Sequence, residues 1–460
     1  MIKSIILAAG EGSRMKSDLP KCSHKVCGKA LINHIVDAAT AAGVEKNVVV
    51  VGHGADKVKF IVEKQERVEF VQQPVGEGAP YGTGFAVKQG IDHVEDGDTV
   101  LILCGDTPLI KSETIEAFTK YHIEGNYSVT VLTSKLEDPT DYGRIIRDGS
   151  GEVTGIVEQK EATPEQLEID EVNSGIYCFE GKTLKSVLGK IDNNNAKGEY
   201  YITDAIHIVR AEGGAVGGYI ASDSGEIQGI NSKKQLAEAE EVMRNRVNEK
   251  LMAEGAIMVD PKSTYIGVDV KIGRDTVIYP GVILEGKTEI GRDSVIGHGC
   301  RIVDSKIGDF VEVQSSTVVE SSIDDSSKIG PYAYLRPNSR IGKHVKIGDF
   351  VEVKNSNVGD NSKASHLSYI GDSDVGNDVN IGCGVVFVNY DGVSKHRSTV
   401  KDKAFIGCNV NLISPVTVEE SAYIAAGSTI TDDVSANSLA IARERQVEKK
   451  DWVLKRGLKK

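Results

Sequence analysis

The sequence contains no apolar run of about 18 residues, the length at which a transmembrane helix would be predicted, so no membrane span is expected. Its seven cysteines are scattered and include no C-x-x-C pair, which argues against a zinc site and against a disulfide framework. The N-terminal residues also lack a charged-then-apolar leader with a cleavage site. We therefore expect a protein of the reducing cytoplasm.

The sequence has fewer basic residues than acidic residues. The 54 lysines and arginines are outnumbered by 67 aspartates and glutamates, which leaves a formal net charge of -13. This surplus of negative charge opposes binding to nucleic acid or to an anionic membrane, so neither partner is expected. Phosphorylated substrates stay possible where basic side chains cluster locally. A chain of 460 residues should contain two or three domains.

Aliphatic residues recur every six positions through the second half of the chain. An α-helix would place such residues on nearly opposite faces, about 240° apart, and a simple amphipathic strand would repeat every two residues. A period of six predicts a coil of short strands in which three hexads close a triangular turn and the aliphatic side chains stack inside. A β-sandwich with accidental spacing is the alternative, and three separate runs argue against it. The runs are Ile266, Ile272, Ile278, Leu284, Ile290, Ile296, Ile302; Ile329, Leu335, Ile341, Ile347, Val353; and Ile406, Leu412, Val418, Ile424, Ile430.

The period falters at two places. The first is short and lies near Asp304 and Ser305, whereas the second runs from Gly384 to Ala404 and is rich in polar and basic residues. Function tends to collect where an insertion is ejected from a solenoid. We therefore expect functional residues in the second break.

The first half of the chain reads as strands alternating with helices. This pattern predicts an α/β Rossmann-like domain with a mostly parallel sheet covered on both faces. Ligands of such sheets bind at the carboxyl ends of the strands, where Gly10–Arg14 and Gly105–Asp106 lie. The predicted strands are Ser4–Ala8, Asn47–Val51, Val68–Val71 and Thr99–Cys104, and the predicted helices are Leu31–Ala42 and Thr83–Gly90.

A single helix is predicted from Ser232 to Glu254, with Ser232 and Gln235 forming a capping box at its start. It divides the chain into an α/β domain at 1–230, a linker helix at 231–254 and a β-helix domain with a C-terminal tail at 255–460.

A glycine-rich loop follows the first predicted strand. Gly10 and Gly12 would let backbone N–H groups approach phosphates, and Arg14 and Lys21 would supply positive charge. The loop is neither a Walker A motif nor G-x-G-x-x-G, because Met15 occupies the third glycine position. From spacing alone, a structural glycine turn is an equally good interpretation.

The string from Leu7 to Arg14, followed by Leu19-Pro20-Lys21, resembles the signature of sugar-1-phosphate nucleotidylyltransferases. This resemblance implies that Arg14 and Lys21 act at the reacting phosphate and that Asp106 and Asn231 bind Mg²⁺. The segment that would read the uracil is stretched by residues 74–80, so the choice of glutamine stays open. The implied contacts to UTP and to the sugar phosphate are Leu7, Ala8, Ala9, Gly10, Lys21, Gln72, Gly82, Thr83, Gly143, Glu158, Asn173 and Asn231.

The implied reaction is an in-line displacement in which the oxygen of a sugar 1-phosphate attacks the α-phosphorus of UTP and pyrophosphate leaves. A phosphate nucleophile is already ionised, so no general base is required. Positioning and charge neutralisation by Mg²⁺, Lys21 and Arg14 would carry the catalysis.

The second half resembles the hexapeptide-repeat acyltransferases, which implies a left-handed parallel β-helix, acetyl-CoA as acyl donor and a homotrimer. Over nearly its whole length the chain is similar to the bifunctional N-acetylglucosamine-1-phosphate uridylyltransferases/glucosamine-1-phosphate acetyltransferases. By this resemblance His366 removes a proton from the amino sugar, since an ammonium group cannot attack a thioester. The strings that carry the resemblance are Leu335-Arg336-Pro337, Val351–Lys354, His366–Tyr369 and Asn389–Gly392.

The resemblance assigns further residues to the second site. Asn389 would also stabilise the transition state, and Cys408 stands where a serine is expected. The implied sugar-phosphate contacts are Arg336, Lys354, Tyr369, Asn380, Tyr390 and Lys395, and the implied acetyl-CoA contacts are Asn389, Tyr390, Cys408, Ala426 and Arg443.

Two other hypotheses compete with a bifunctional enzyme. The first is a nucleotide-sugar pyrophosphorylase whose β-helix only oligomerises or regulates, and the second is a scaffold in which neither site works. His366 with Asn389 and Tyr390 argues against the first, because a structural helix needs none of them. Lys21 and Asp106 argue against the second.

Overall fold

The computed structural model describes residues 1–62, 65, 67–76, 78–195 and 198–458. Two compact units are present, Met1–Met243 and Arg244–Lys460. The boundary between them falls inside the helix Lys233–Ala253. The three-part division expected from the sequence, with this helix as a linker, stays a prediction.

The first unit is built on one twisted sheet, as the alternating pattern predicted. Its strands are parallel to their neighbours except Glu171–Glu180, which runs antiparallel to both. The hairpin of Arg144–Arg147 and Val153–Val157 is attached to that antiparallel strand. The order across the sheet is Val216–Ile220, Val129–Lys135, Glu171–Glu180, Thr99–Cys104, Ile2–Ala8, Lys46–Val51 and Val68–Gln72.

Helices cover both faces of this sheet. Ile5 and Ile6, adjacent on one strand, belong to separate hydrophobic cores because successive side chains of a strand point to opposite faces. The described α-helices of the unit are Leu31–Ala41, Ala55–Val62, Thr83–Gln89, Ser112–Glu124, Pro164–Leu167, Gly181–Leu188 and Asp204–Ala211. Shorter elements are the 3₁₀ turns Ser13–Met15, Lys21–Ser23, Ile91–His93 and Ser224–Ile227 and the hairpin strands Lys25–Val26 and Lys29–Ala30.

The helix Lys233–Ala253 begins one residue later than predicted and has half of the expected capping box. The Ser232 hydroxyl accepts the backbone N–H of Gln235 at 3.2 Å. The Gln235 side chain, however, accepts the N–H of Asn231 at 2.8 Å rather than that of Ser232. None of the helices in the described residues is both long and apolar enough to cross a bilayer.

The second unit is the β-helix that the six-residue period predicted. Three stacks of short parallel strands form its walls, which we call sheets I, II and III. Sheet I contains Ile257–Met258, Val277–Ile278, Val295–Ile296, Glu312–Val313, Lys328–Ile329, Lys346–Asp349, Lys363–His366, Asn380–Ile381, Phe405–Ile406, Tyr423–Ile424 and Leu439–Ala440. Sheet II contains Tyr265–Ile266, Ile283–Glu285, Arg301–Val303, Thr317–Val319, Tyr334–Leu335, Glu352–Lys354, Tyr369–Gly371, Val386–Val388, Asn411–Ile413 and Thr429–Ile430. Sheet III contains Lys271–Ile272, Glu289–Ile290, Lys306–Ile307, Ser322–Ile323, Arg340–Ile341, Asn357–Val358, Ser373–Val375, Ser398–Val400 and Thr417–Val418. The short helix Pro261–Ser263 lies between the first strands of sheets I and II, and the helix Trp452–Lys455 follows the last strand.

Strand register explains both breaks in the period. Val277 pairs with Val295, a full turn of three hexads further on. Glu289 pairs with Lys306, one residue short of a full turn, which accounts for the break at Asp304 and Ser305. Ser373 pairs with Ser398 across a turn seven residues too long, so the segment 389–397 leaves the coil as a loop.

The aliphatic residue of each hexad is buried, as predicted. Ile278, Leu335 and Ile406 have no exposed surface, and they belong to one continuous core that runs through the unit. Each such side chain contributes about 1.5–3 kcal/mol when removed from water. The stacked strands are therefore joined by a single apolar column.

Candidate active sites

A cavity of about 270 Å³ opens at the carboxyl ends of strands Ile2–Ala8 and Thr99–Cys104. This is the edge at which ligands of parallel sheets bind, and both predicted loops reach it. The predicted residues that line it are Leu7, Ala8, Ala9, Gly10, Lys21, Gly82, Thr83 and Asp106.

Glycine is required at two places around this cavity. Gly12 has a φ of +68°, and a Cβ there would lie 2.7 Å from Cβ of Lys21. Gly82 has a φ of +124°, and a Cβ there would collide with the backbone of Tyr200. Both positions combine a left-handed backbone with close approach, which only glycine tolerates without strain.

Four predicted residues converge in one charged cluster. The Lys21 ammonium forms an ion pair with Asp106 and donates to Oδ1 of Asn231 at 2.8 Å. Nη2 of Arg14 donates to the same Asn231 oxygen at 2.9 Å. These residues lie far apart in sequence, and the N–H of Ile230 bonding to the carbonyl of Asp106 at 2.9 Å holds two of the segments together.

The oxygen donors of this cluster suit Mg²⁺. The Asp106 carboxylate and the Asn231 amide oxygen both contact the Lys21 ammonium. The two oxygens together therefore favour a positive charge beside them. Magnesium needs only one or two protein oxygens, because waters and substrate phosphates complete its shell. In the described part of the chain, no group of three or more His, Cys, Asp and Glu side chains is placed to hold a metal alone.

The structure places Gln73, rather than the predicted Gln72, in the lining of the cavity. Gln72 ends its strand with an exposed side chain, whereas Gln73 is only 3% exposed. The buried Oε1 of Gln73 has no hydrogen-bond partner. A buried amide oxygen without a partner is costly, so this group is available to a polar ligand. Residue 77, within the stretched segment, lies outside the described residues.

The predicted sugar-binding residues are not in the lining of this cavity, and strand pairing connects two of them. The carbonyl of Gly143 accepts the N–H of Asn173 at 2.9 Å, and Nδ2 of Asn173 donates to the Tyr177 hydroxyl at 2.8 Å. Glu158 is half-buried just after the strand Val153–Val157, which pairs with the strand that follows Gly143. The structure thus brings Gly143 and Asn173 together.

Two thiols in the lining of the first unit's cavity, Cys22 and Cys104, are unreactive near neutral pH. Burial, with a further contribution from the charge of Asp106, raises the pKa of Cys22 to about 12. The same causes, in the same order, raise the pKa of Cys104 to about 12. Both thiols therefore stay protonated near neutral pH and are poor nucleophiles.

In the second unit, His366 lies at the corner between sheets I and II. Its Nδ1 is 2.6 Å from Oδ1 of Asp349, which pairs with it in register on the preceding coil. The hydrogen bond from His366 lowers the pKa of Asp349, so that group is a carboxylate at neutral pH. The His366 side chain is 56% exposed and therefore accessible to a substrate.

A basic cluster lies at the other end of the sheet II strand Tyr369–Gly371, which begins three residues after His366. A cavity of about 410 Å³ there is lined by Arg336, Lys354, Asp372 and Lys395, among others. The amines of Lys354 and Lys395 lie close together in this cavity, and the neighbouring Lys354 amine lowers the pKa of Lys395.

Asp372 organises this cluster. Burial alone would raise its pKa, but hydrogen bonds from Asn355, Lys354 and Asn389 lower it overall. Lys354 lies 3.2 Å from the carboxylate, and Asn389 donates to it through Nδ2. Asn389 also donates to the Tyr369 hydroxyl at 3.3 Å. One carboxylate therefore fixes the predicted residues Lys354 and Asn389 together.

The loop 389–397 contributes the remaining residues of this cluster. Tyr390 and Lys395 form an isolated antiparallel bridge, and the Tyr390 hydroxyl donates to the carbonyl of Gly392 at 2.7 Å. Arg336 lies on the neighbouring coil and donates to Glu352 at 2.8 Å. The second break of the repeat, where functional residues are expected, therefore carries the predicted residues Tyr390 and Lys395, and their roles stay predictions.

Two of the predicted acetyl-CoA residues, Cys408 and Ala426, lie at one corner of the β-helix, whereas Asn389 and Tyr390 lie in the loop 389–397. Register pairing places Asp349 opposite His366, Ile381 opposite Ile406, and Ile406 opposite Ile424. The residues that occupy this same corner on successive coils, which we call the corner column, are Asp349, His366, Cys383, Cys408 and Ala426.

Arg443 approaches the top of the corner column, where a Cβ on Gly427 would lie 3.8 Å from its Cδ. Asn380 lies instead on the wall of sheet I, paired with Lys363. The structure thus gathers Cys408, Ala426 and Arg443 but leaves Asn380 apart from the basic cluster within a single chain.

Sequence reasoning missed three residues that the structure brings into these sites. Asp349 and Asp372 each follow a glycine, so they resemble ordinary corner residues, and only their partners on adjacent coils reveal a role. Gln73 directly follows Gln72, and successive side chains of a strand point to opposite faces. This alternation could have indicated that only one of the two glutamines points inward. The sequence signal that could have identified the aspartates is their spacing, because Asp349 and Asp372 each lie 17 residues, or about one coil, before His366 and Asn389 respectively.

Comparison with known families gives matches in both units. The Nucleotidyl transferase family matches residues 3–235, Bacterial transferase hexapeptide (six repeats) matches residues 269–303, and GMPPB C-terminal domain matches residues 320–406. The chain is 54% identical over 457 residues to Bifunctional protein GlmU of Clostridioides difficile, with 99% of this chain and 98% of the relative covered.

The chain belongs to the bifunctional GlmU family. A second GlmU relative, from Alkaliphilus metalliredigens, is 53% identical over 459 residues, covering 100% of this chain and 99% of its own length. A third, from Thermoanaerobacter pseudethanolicus, is 51% identical over 453 residues and covers 98% of each chain. Similarity to the GlmU family therefore spans both units and not one of them alone.

Proposed function

We propose that this chain is a bifunctional enzyme that makes UDP-N-acetylglucosamine. Its second unit transfers an acetyl group from acetyl-CoA to glucosamine 1-phosphate, and its first unit transfers uridylyl from UTP to N-acetylglucosamine 1-phosphate with release of pyrophosphate. The observation that carries this proposal is that each unit assembles its own charged groups. The first unit has the cluster around Lys21 and Asp106, and the second has the Asp349–His366 pair and, separately, the basic cluster around Lys354. Full-length membership of the GlmU family supports the pairing of the two reactions.

In uridylyl transfer the first unit acts by positioning and by charge. The glycine loop presents backbone N–H groups to the triphosphate, and the buried amide of Gln73 offers hydrogen bonds to the base. Lys21 and Arg14 neutralise charge that builds at the α-phosphate as the sugar phosphate attacks in line. No side chain has to remove a proton, because the attacking phosphate oxygen is already ionised.

Asp106 and Asn231 are the residues that would hold Mg²⁺ in this unit. When bound, the ion supplies positive charge to the triphosphate oxygens. Lys21 contacts both ligands, so its ammonium has to shift toward the phosphates as they arrive. Gly143, Glu158 and Asn173 would contact the sugar.

In acetyl transfer the Asp349–His366 pair supplies the base. The Asp349 carboxylate accepts a hydrogen bond from the Nδ1–H group of His366, which keeps the proton on Nδ1 and leaves Nε2 free to accept a proton. Nε2 takes the proton from the sugar amine as its nitrogen attacks the thioester carbon, and the thiolate of coenzyme A leaves. Asn389, held by Asp372 and close to Tyr369, would stabilise the developing negative charge.

The basic cluster would hold the phosphate of glucosamine 1-phosphate. Lys354 and Lys395 lie side by side, so their mutual repulsion is relieved when a phosphate binds between them. Arg336 adds a planar donor suited to phosphate oxygens. Tyr369, Asn380 and Tyr390 would contact the sugar, while Cys408, Ala426 and Arg443 would contact acetyl-CoA.

We further propose that the protein works as a homotrimer in the cytoplasm. Asn380 lies apart from the basic cluster of its own chain, so a neighbouring copy is the simplest way for it to reach a sugar. The absence of a membrane-spanning helix in the described residues is compatible with this proposal.

The proposed function is tested by following pyrophosphate and free thiol in separate assays. Purified protein with acetyl-CoA and glucosamine 1-phosphate should release coenzyme A, and with UTP, Mg²⁺ and N-acetylglucosamine 1-phosphate it should release pyrophosphate. Pyrophosphate without any thiol release would favour a simple pyrophosphorylase. Release of neither product would favour a scaffold.

A further inference from the structure

Cys383 and Cys408 occupy consecutive positions of the corner column. Each lies two residues beyond an isoleucine of the in-register pair Ile381 and Ile406. The backbone conformation repeats at this corner, because the residue that follows each member is left-handed. The φ angles are +56° for Phe350, +46° for Leu367, +76° for Gly384, +55° for Asn409 and +72° for Gly427.

The two coils are tied together at these cysteines. The N–H of Asn409 donates to the carbonyl of Cys383 at 2.7 Å. A Cβ on Gly382 would lie 2.6 Å from the backbone nitrogen of Cys408, so glycine is needed for the coils to approach. Paired strands lie about 4.8 Å apart, and disulfides join residues whose Cα atoms are about 4.4–6.8 Å apart.

Access to solvent distinguishes these two thiols as a pair. Cys408 is exposed and Cys383 is half-buried, as is the distant Cys104, whereas Cys22, Cys178 and Cys300, like Cys27, are buried. Burial also raises the pKa values of those three thiols. Among the described cysteines, Cys383 and Cys408 therefore form a neighbouring pair that a dissolved oxidant can reach.

We propose that Cys383 and Cys408 are a modification site at which a peroxide forms a reversible disulfide that switches off acetyl transfer. One thiol releases its proton, and the resulting thiolate attacks a peroxide oxygen and breaks the O–O bond. A sulfenic acid forms, and the departing hydroxide takes up the released proton to give water. The second thiol then displaces the hydroxyl of the sulfenic acid, so the S–S bond forms and a second water leaves. Overall, two thiols lose two electrons and two protons, and the peroxide is reduced.

The position of the pair explains why acetyl transfer would respond. The corner column continues from Cys383 to His366 on one side and from Cys408 to Ala426 on the other. A disulfide draws two adjacent coils together within the surface proposed for acetyl-CoA, beside the proposed base. The inference rests on the proposed acetyl-transfer function. The cluster of Lys21 and Asp106 shares none of these residues.

The experiment treats the full chain with stoichiometric hydrogen peroxide and then measures three quantities. Peptide mapping under non-reducing conditions should give one intrachain peptide linked through Cys383 and Cys408. Acetyl transfer should fall by roughly 10²-fold, the loss expected when reacting groups are displaced by about 1 Å. Dithiothreitol should restore it, and uridylyl transfer in the same sample should not change.

The Cys383→Ala variant is the matched control, since it retains Cys408 but has no partner for it. Its acetyl transfer after oxidation is compared with its own acetyl transfer before oxidation, and the ratio of the two should stay near one. Equal inhibition of this variant, a linkage between chains, or no linked peptide would overturn the proposal. If unoxidised protein transfers no acetyl group, the proposed function has failed, and the peptide map still decides whether the disulfide forms.

Discussion

Nδ1 of His366 lies 2.6 Å from Oδ1 of Asp349, one coil below it in the same sheet. The pairing arises from register, because each residue occupies the last position of its sheet I strand. The carboxylate fixes which ring nitrogen carries the proton and which accepts one. The β-helix therefore builds a base and its positioning residue from two equivalent corners.

Replacing His366 with alanine should remove the base and leave the fold intact, since the side chain is exposed. We expect acetyl transfer to fall by about 10²–10⁴-fold, measured as coenzyme A released from acetyl-CoA. Uridylyl transfer should be unchanged, because its cluster lies in the first unit. Loss of both activities to the same extent would contradict separate sites.

Asp349→Asn should have a smaller effect, with a change in pH dependence that a merely structural role would not produce. The pKa of Asp349 lies below its ordinary value because of the hydrogen bond from His366, so its charge persists throughout the neutral range. Without that charge the imidazolium loses its partner, and the acidic limb of the kcat/KM profile should move to lower pH. Asp349→Glu should restore the parent profile in part. An unchanged profile in Asp349→Asn would refute the positioning role.

Asp106→Ala should abolish Mg²⁺-dependent turnover of UTP, because it removes a metal ligand and the partner of Lys21. The loss should appear in kcat for pyrophosphate release, and acetyl transfer should be retained. Asp92→Ala, at an exposed position of the same unit, is the control and should behave like the parent. Normal turnover in Asp106→Ala would exclude Asp106 as a ligand.

Gln73→Ala and Gln72→Ala form a matched pair that decides which glutamine contacts the base. Gln73 has a buried, unpartnered oxygen in the cavity, so its truncation should raise the KM for UTP by about tenfold, the equivalent of one hydrogen bond of roughly 1.4 kcal/mol. The exposed Gln72 should tolerate alanine within about twofold. The reverse result would restore the assignment suggested by the sequence.

The strand Arg340–Ile341 offers a test of the apolar column, since Ile341 is 1% exposed and Arg340 lies on the outer surface. Ile341→Ala should lower the free energy of unfolding by about 2–5 kcal/mol, measured by denaturant titration. Arg340→Ala should change it by less than about 0.5 kcal/mol. Equal effects at the two positions would contradict a core built from one aliphatic residue per hexad.

Much of this protein follows from local pattern. The hexad period predicted the buried positions from Ile266 to Ile430, because one inward side chain per short strand leaves a periodic trace in sequence. The strand Thr99–Cys104 was predicted with the bounds that the structure has, since a continuous apolar run flanked by turns indicates a buried strand. The position of the ejected loop also followed from the failure of the period.

Other features depend on contacts between distant residues. Resemblance named Lys21, Asp106 and Asn231, but only the folded chain brings the ammonium, the carboxylate and the amide oxygen together. Asp349 and Asp372 were not predicted as site residues. An aspartate that follows a glycine at a corner has the same local sequence whether or not the next coil carries a hydrogen-bond partner for it.

The sequence by itself determined the two architectures and the places where ligands could bind, because both are consequences of short-range hydrophobic periodicity and glycine placement. Only the tertiary structure decided that Gln73 rather than Gln72 faces the cavity, that Asp349 holds His366, and that Cys383 and Cys408 are neighbours. Those relationships depend on strand register, which is set by the packing of whole coils and sheets, so the order of residues alone did not assign them.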